Sequence, residues 1–135
     1  MILPKQVPLF IIAIISTQFF GCAVDNTSYK KASAKVEYLQ SETHKKSDAP
    51  YSQAVRVDDM LYLSGVVGSK LGEPGVVPGG IRSETIQAME NIKTLLERYG
   101  SSLDDVVKCM CMLGDISDYA VMNEEYKKFF PVNRP

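Results

Sequence analysis

An α+β domain, a sheet with two helices packed on one of its faces, is predicted by three features of this sequence. Short runs of alternating or β-branched residues come first, two stretches with helical periodicity follow, and an extended apolar run lies between those helices. The composition, 45% hydrophobic and 23% charged over 135 residues, is that of one ordinary globular domain.

The first strand is predicted in "KVEYLQ", where Val36 and Tyr38 alternate with polar neighbours. Ala54-Val55-Arg56-Val57 is a second extended run, and Asp58-Asp59 marks the turn of a hairpin. Met60 to Val67 (MLYLSGVV) is nearly all apolar and reads as a strand buried on both faces. Gly68 to Gly80 is rich in glycine and proline and reads as a mobile loop.

Ser83 is placed to cap a helix, with Glu84 in its first turn. Ile86, Met89, Ile92, Leu95, Leu96 and Tyr99 then recur at helical spacing, and Gly100 ends the helix. Asp104 to Leu113 (DDVVKCMCML) reads as a strand, with Val107, Cys109, Cys111 and Leu113 on one face. A second helix, capped near Ser117, carries Ile116, Tyr119, Met122, Tyr126 and Phe129-Phe130 on its apolar stripe and ends at Pro131.

The N-terminal stretch has a different character. Lys5 precedes an apolar run from Leu9 to Ile15, which has signal-peptide length and falls short of the roughly 20 apolar residues that span a bilayer. The following "FFGC" resembles the lipobox of bacterial lipoproteins, with Phe19 where leucine is usual. That resemblance implies a signal peptide over 1–21, cleavage before Cys22, and lipidation of Cys22. Residues 22–34 form a polar tether and 35–135 the folded domain. The protein is then expected to be exported and membrane-anchored, on the periplasmic or cell-surface side, with plain secretion as the alternative.

Several chemistries are excluded or disfavoured. A net charge of −1 and a pI near 5.8 argue against nucleic-acid binding, which needs a basic patch. Cys109 and Cys111 supply at most half a zinc site, with no second pair, and read as small core residues. The lone His44, in the polar stretch "SETHKKSD", reads as a solvated surface side chain with no metal-ligand partner at useful spacing.

Three segments carry a more specific signal: "APYSQAVRVDDMLYLSG", "ETIQAMENIKTLLERYGSSLDDVVK" and "DYAVMNEEYKKFFPVNRP". Their order and spacing resemble the RidA (YjgF) family of enamine/imine deaminases, with Pro50 to Ala54, Ser64-Gly65 and Asn91 as the most telling positions. The resemblance implies a chorismate-mutase-like α+β fold with a mixed sheet, assembled as a homotrimer with clefts between subunits. It also implies hydrolysis of 2-imino acids to 2-keto acids and ammonia without metal or organic cofactor. Carried over position by position, Tyr51, Ser64, Gly65 and Asn123 are the expected substrate-binding residues.

The end of the sequence departs from the family pattern. There, the residues matching "NRP" are followed by alanine and an arginine that holds the substrate carboxylate in a bidentate pair, and then by further strands. Arg134 precedes the proline and does not match that arginine. The chain is therefore expected to be C-terminally truncated relative to the family, with its last strands missing. Two functions follow: an exported, lipid-anchored imine deaminase, or a non-catalytic module that uses the same cleft to bind small carboxylates or a protein partner.

Overall fold

The computed structural model describes residues 33–70 and 73–135. The expected signal peptide, Cys22 and nearly all of the tether lie outside the described residues. Strand β1 (Val36–Leu39) is followed by a short helix α1 (Glu42–Lys46), strands β2 (Ala54–Val57) and β3 (Met60–Leu63), and helices α2 (Gly80–Arg98) and α3 (Tyr119–Phe129). Single 3-10 turns at Leu103–Asp105 and Ile116–Asp118 separate the two long helices. This is the predicted α+β class.

The described strands form one antiparallel sheet in the order β1-β2-β3. Register sorts the side chains cleanly: Glu37 faces Arg56 and Leu39 faces Ala54 across one pair, and Ala54 faces Leu63 and Arg56 faces Leu61 across the other. These residues share the covered face, where Ala54 is fully buried. The opposite face carries Val36, Tyr38, Val55, Val57, Met60 and Tyr62. It is apolar and largely open, with Tyr38 73% exposed. β3 is thus buried on one face and not on both, and it stops at Leu63, short of the expected Val67.

The hairpin turn is where the sequence put it. Asp58 adopts a left-handed φ of 50°, which aspartate tolerates. Its carboxylate accepts from the Lys35 amide at 2.9 Å while its own amide donates to Lys35 O at 2.9 Å. That exchange clamps the start of β1 to the turn.

Helix α2 begins earlier than Ser83. Gly79 and Gly80 have positive φ of 111° and 69°, and the glycine pair turns the chain into the helix without a side-chain cap. Ser83 lies inside the first turn, and a Cβ on Gly79 would fall 2.4 Å from its Oγ. At the other end Gly100, with φ 78°, takes the left-handed position expected of it, and the Ser101 amide reaches back to Leu96 O at 2.9 Å.

Two contacts fix α2. At Gly68 the backbone runs so close to the helix that a Cβ would sit 2.4 Å from the Glu84 carbonyl oxygen and 2.7 Å from its Cα. Asn91 Nδ2 then donates to Val67 O at 3.1 Å and Ser69 O at 2.8 Å, while Gln87 holds its Oδ1 at 2.9 Å. Helix α3 packs on α2 around Met89, Leu96, Met122 and Phe130, all buried. Between the helices Glu125, 2% exposed, accepts from Lys128 Nζ at 2.6 Å and from Arg82, which also pairs with Glu124 at 2.8 Å.

The stretch predicted as a strand over Asp104–Leu113 is not one among the described residues. Ser102 and Asp105 build a capping box on a 3-10 turn, and residues 106–113 run on without a ladder partner. Apolar alternation reports which faces seek cover, whereas a strand also needs a neighbouring backbone. Val107 and Met110 remain open and Met112 is 84% exposed. Cys109 is only half-buried and Cys111 exposed, so neither is the small core residue expected. Ile116 and Tyr119 are likewise exposed, because the chain enters α3 through a turn capped by Asp115, whose carboxylate accepts from Ser117 N at 2.8 Å.

Two outcomes follow. Gly68→Ala lowers stability by about 1–3 kcal/mol, the range for overpacking where backbone meets backbone; a denaturant titration reads this as a lower midpoint with an unchanged slope. For Glu125, the Lys128 hydrogen bond outweighs burial and holds the carboxyl below its ordinary value of 4.5. A carboxyl depressed on folding contributes stability above its unfolded pKa and loses it as pH falls through the folded value. Acid titration of folding therefore shows a loss beginning near pH 4.5 and continuing below it, and Glu125→Gln is less stable at neutral pH and flatter over that window.

Candidate functional site

The segment Tyr51–Gln53, between α1 and β2, is irregular backbone tied by several hydrogen bonds. Ser64, just past β3, donates its hydroxyl to Ser52 O at 2.6 Å, and its amide to Gln53 O at 3.1 Å. Gln53 Oε1 accepts from the Ser41 amide and from the Tyr99 hydroxyl, both at 2.8 Å. Gln40 reaches Ser52 Oγ at 3.1 Å. Burial of the Tyr99 hydroxyl raises its pKa, keeping it a donor. Arg56 donates to Tyr99 O, so the end of α2 is anchored to the sheet at the same point.

This network places three of the predicted residues together. Tyr51 projects from the tied segment with its side chain half-exposed. Ser64 is the tie itself, and Gly65 follows it with open space within 4 Å of where a Cβ would stand. Ser64 and Gly65 thus stand beside the backbone that carries Tyr51, and the three residues form one rim. Asn123 is half-buried on α3 and makes no hydrogen bond to the other three among the described residues. Cys22 lies outside the described residues.

His44 is a correction. Its Nε2 lies 2.8 Å from Tyr51 O, and its ring meets the Tyr51 ring edge-on with centroids 5.1 Å apart. It is half-buried in α1, a helix the sequence reading did not predict. The signal was present: Ser41 caps the turn by accepting from His44 N at 3.1 Å, Glu42 stands in the first turn, and Lys45 pairs with Glu42 at 2.7 Å.

Two shallow depressions among the described residues do not include this rim. One is lined by Lys35, Glu37, Arg56, Asp58 and Asp59 at the hairpin end, the other by Lys70, Val77, Pro78, Ser83, Ile86 and Gln87 beside α2. Among the described residues no cluster of three His, Cys, Asp or Glu is placed to hold a metal ion.

Fold and rim together define the class: an α+β protein of the RidA type, built on a hairpin-centred sheet and a helix pair. The chain belongs to the endoribonuclease L-PSP family, whose profile matches residues 42–135. It is 40% identical over 101 residues to a RutC family protein of Pyrococcus horikoshii, covering 73% of this chain and 79% of that one. It is 41% identical over 86 residues to the 2-iminobutanoate/2-iminopropanoate deaminase of Mus musculus, an alignment spanning 64% of each chain. Among solved structures, RidA from an Antarctic Psychrobacter superposes with a TM-score of 0.58 at 32% identity over 77% of this chain and 78% of that one. A protein of Entamoeba histolytica described as a putative endoribonuclease L-PSP gives 0.64 at 34% identity, over 75% and 81%.

Proposed function

We propose that this protein hydrolyses reactive 2-imino acids, and their enamine tautomers, to 2-keto acids and ammonia. The observation that carries the reading is the fixed rim of Tyr51, Ser64 and Gly65, found in a chain 41% identical over 86 residues to a deaminase of 2-iminobutanoate and 2-iminopropanoate. The reaction asks little of titratable groups. A protonated imine carbon is already electrophilic; water adds to it, the carbinolamine loses ammonia, and a ketone remains. The protein has to hold the substrate, exclude bulk solvent and place one water. A half-exposed phenol, a strand-end hydroxyl and an open glycine backbone suit that task.

Among the described residues Asn123 makes no hydrogen bond to the rim, which suits a cleft that forms between subunits. The open apolar sheet face of Val36, Tyr38, Val55, Val57, Met60 and Tyr62 supports such an assembly, since a surface of this kind is normally covered. A homotrimer is the expected form. The family description names an endoribonuclease, but a net charge of −1 favours a small carboxylate substrate over RNA. Lipid attachment at Cys22, with export to a membrane surface, is supported by the apolar run and the "FFGC" motif; no helix among the described residues is long and apolar enough to cross a membrane.

Protein expressed from its complete reading frame is expected to accelerate keto-acid release from freshly generated 2-iminopropanoate. A rate equal to buffer alone overturns the deaminase reading, and binding of 2-oxobutanoate without hydrolysis identifies a non-catalytic binding module instead. Mass spectrometry of the protein from bacterial membranes is expected to find Cys22 as an acylated first residue. An unmodified Cys22 removes the lipoprotein reading.

A further inference from the structure

We propose that His44 is a positioning residue that sets the orientation of Tyr51 and, through it, the affinity of the cleft for its substrate; this rests on the deaminase reading. Tyr51 is half-exposed, and a side chain so open would sample several rotamers unless something held it. Among the described residues His44 is the one ring that packs against it, edge-on at 5.1 Å and 60°, within the range where aromatic pairs attract. The same imidazole holds the Tyr51 backbone through Nε2 at 2.8 Å. A carbonyl oxygen only accepts, so Nε2 carries a proton and is the donor.

His44 is itself held from both sides. Its amide donates to Ser41 Oγ at 3.1 Å, and its carbonyl accepts from the Ser47 hydroxyl at 2.7 Å and the Ser47 amide at 3.1 Å. The circuit then closes: the Ser41 amide donates to Gln53 Oε1 at 2.8 Å, two residues beyond Tyr51. Helix α1 is therefore a brace, gripping the 51–53 segment at its start through His44 and at its end through Ser41. The brace touches Tyr51 on the ring and the carbonyl while leaving the phenol oxygen free for a ligand. Because His44 acts through Tyr51, it shifts binding more than the chemical step.

The test compares unmodified protein with His44→Ala and His44→Gln, the second retaining a side-chain N–H that reaches a carbonyl. For His44→Ala, KM for 2-iminopropanoate rises about fivefold, the scale of one ordinary hydrogen bond, with kcat within about twofold. The ring signals of Tyr51 in tyrosine-labelled protein move toward those of free tyrosine. His44→Gln returns KM to within about twofold of the unmodified protein. If His44→Ala leaves both KM and the Tyr51 ring signals unchanged, the inference is overturned. Failure of the deaminase reading looks different: unmodified protein then shows no hydrolysis, and the Tyr51 ring signals of His44→Ala still decide whether His44 holds Tyr51.

Discussion

The close approach of Gly68 to the Glu84 backbone is the constraint on which the rest of the structure depends. Helix α2 can lie where it does only because position 68 has no side chain, a Cβ there falling 2.4 Å from a carbonyl oxygen. Asn91 converts proximity into registration by bonding the carbonyls on either side of that glycine. With the helix so fixed, its C-terminal Tyr99 arrives where the hydroxyl meets Gln53 and the carbonyl meets Arg56. The rim around Tyr51 is thus held, at one remove, through the placement of α2 that Gly68 allows.

A second constraint is electrostatic. A carboxylate as buried as Glu125 is tolerated only when its charge is answered, and Lys128 and Arg82 supply two cationic partners on its two oxygens. Arg82 comes from α2 and Lys128 from α3, so the cluster couples the helices as well as neutralising the charge. The described face of the sheet opposite α2 has no such cover. Its valines and tyrosines are of the kind that normally meet another surface.

The sequence and the structure agree wherever a signal is local and differ wherever it depends on a neighbour. The hairpin at Asp58-Asp59 and the helix end at Gly100 were legible because each rests on the φ preference of one residue. The start of α2 was misplaced because Ser83 resembles a cap, while the glycine pair at 79 and 80 makes a capless entry. Asp104–Leu113 had the composition of a strand and lacks a ladder partner among the described residues. His44 looked like a solvated surface side chain because its partner Tyr51 is a loop residue with no periodic signal to link them.

By itself, then, the sequence determined the α+β class, the order of the three described strands and two long helices, and, through the motifs at Tyr51, Ser64 and Gly65, the family. Periodicity, turn chemistry and short motifs are carried by adjacent residues, so they survive without coordinates. Only the tertiary structure decided that Ser64 and Gly65 meet the segment that carries Tyr51, that one face of the described sheet is left apolar and open, and that α1 braces that segment through His44. Each of those depends on contacts between segments brought together by folding. Spacing along the chain carries no record of them.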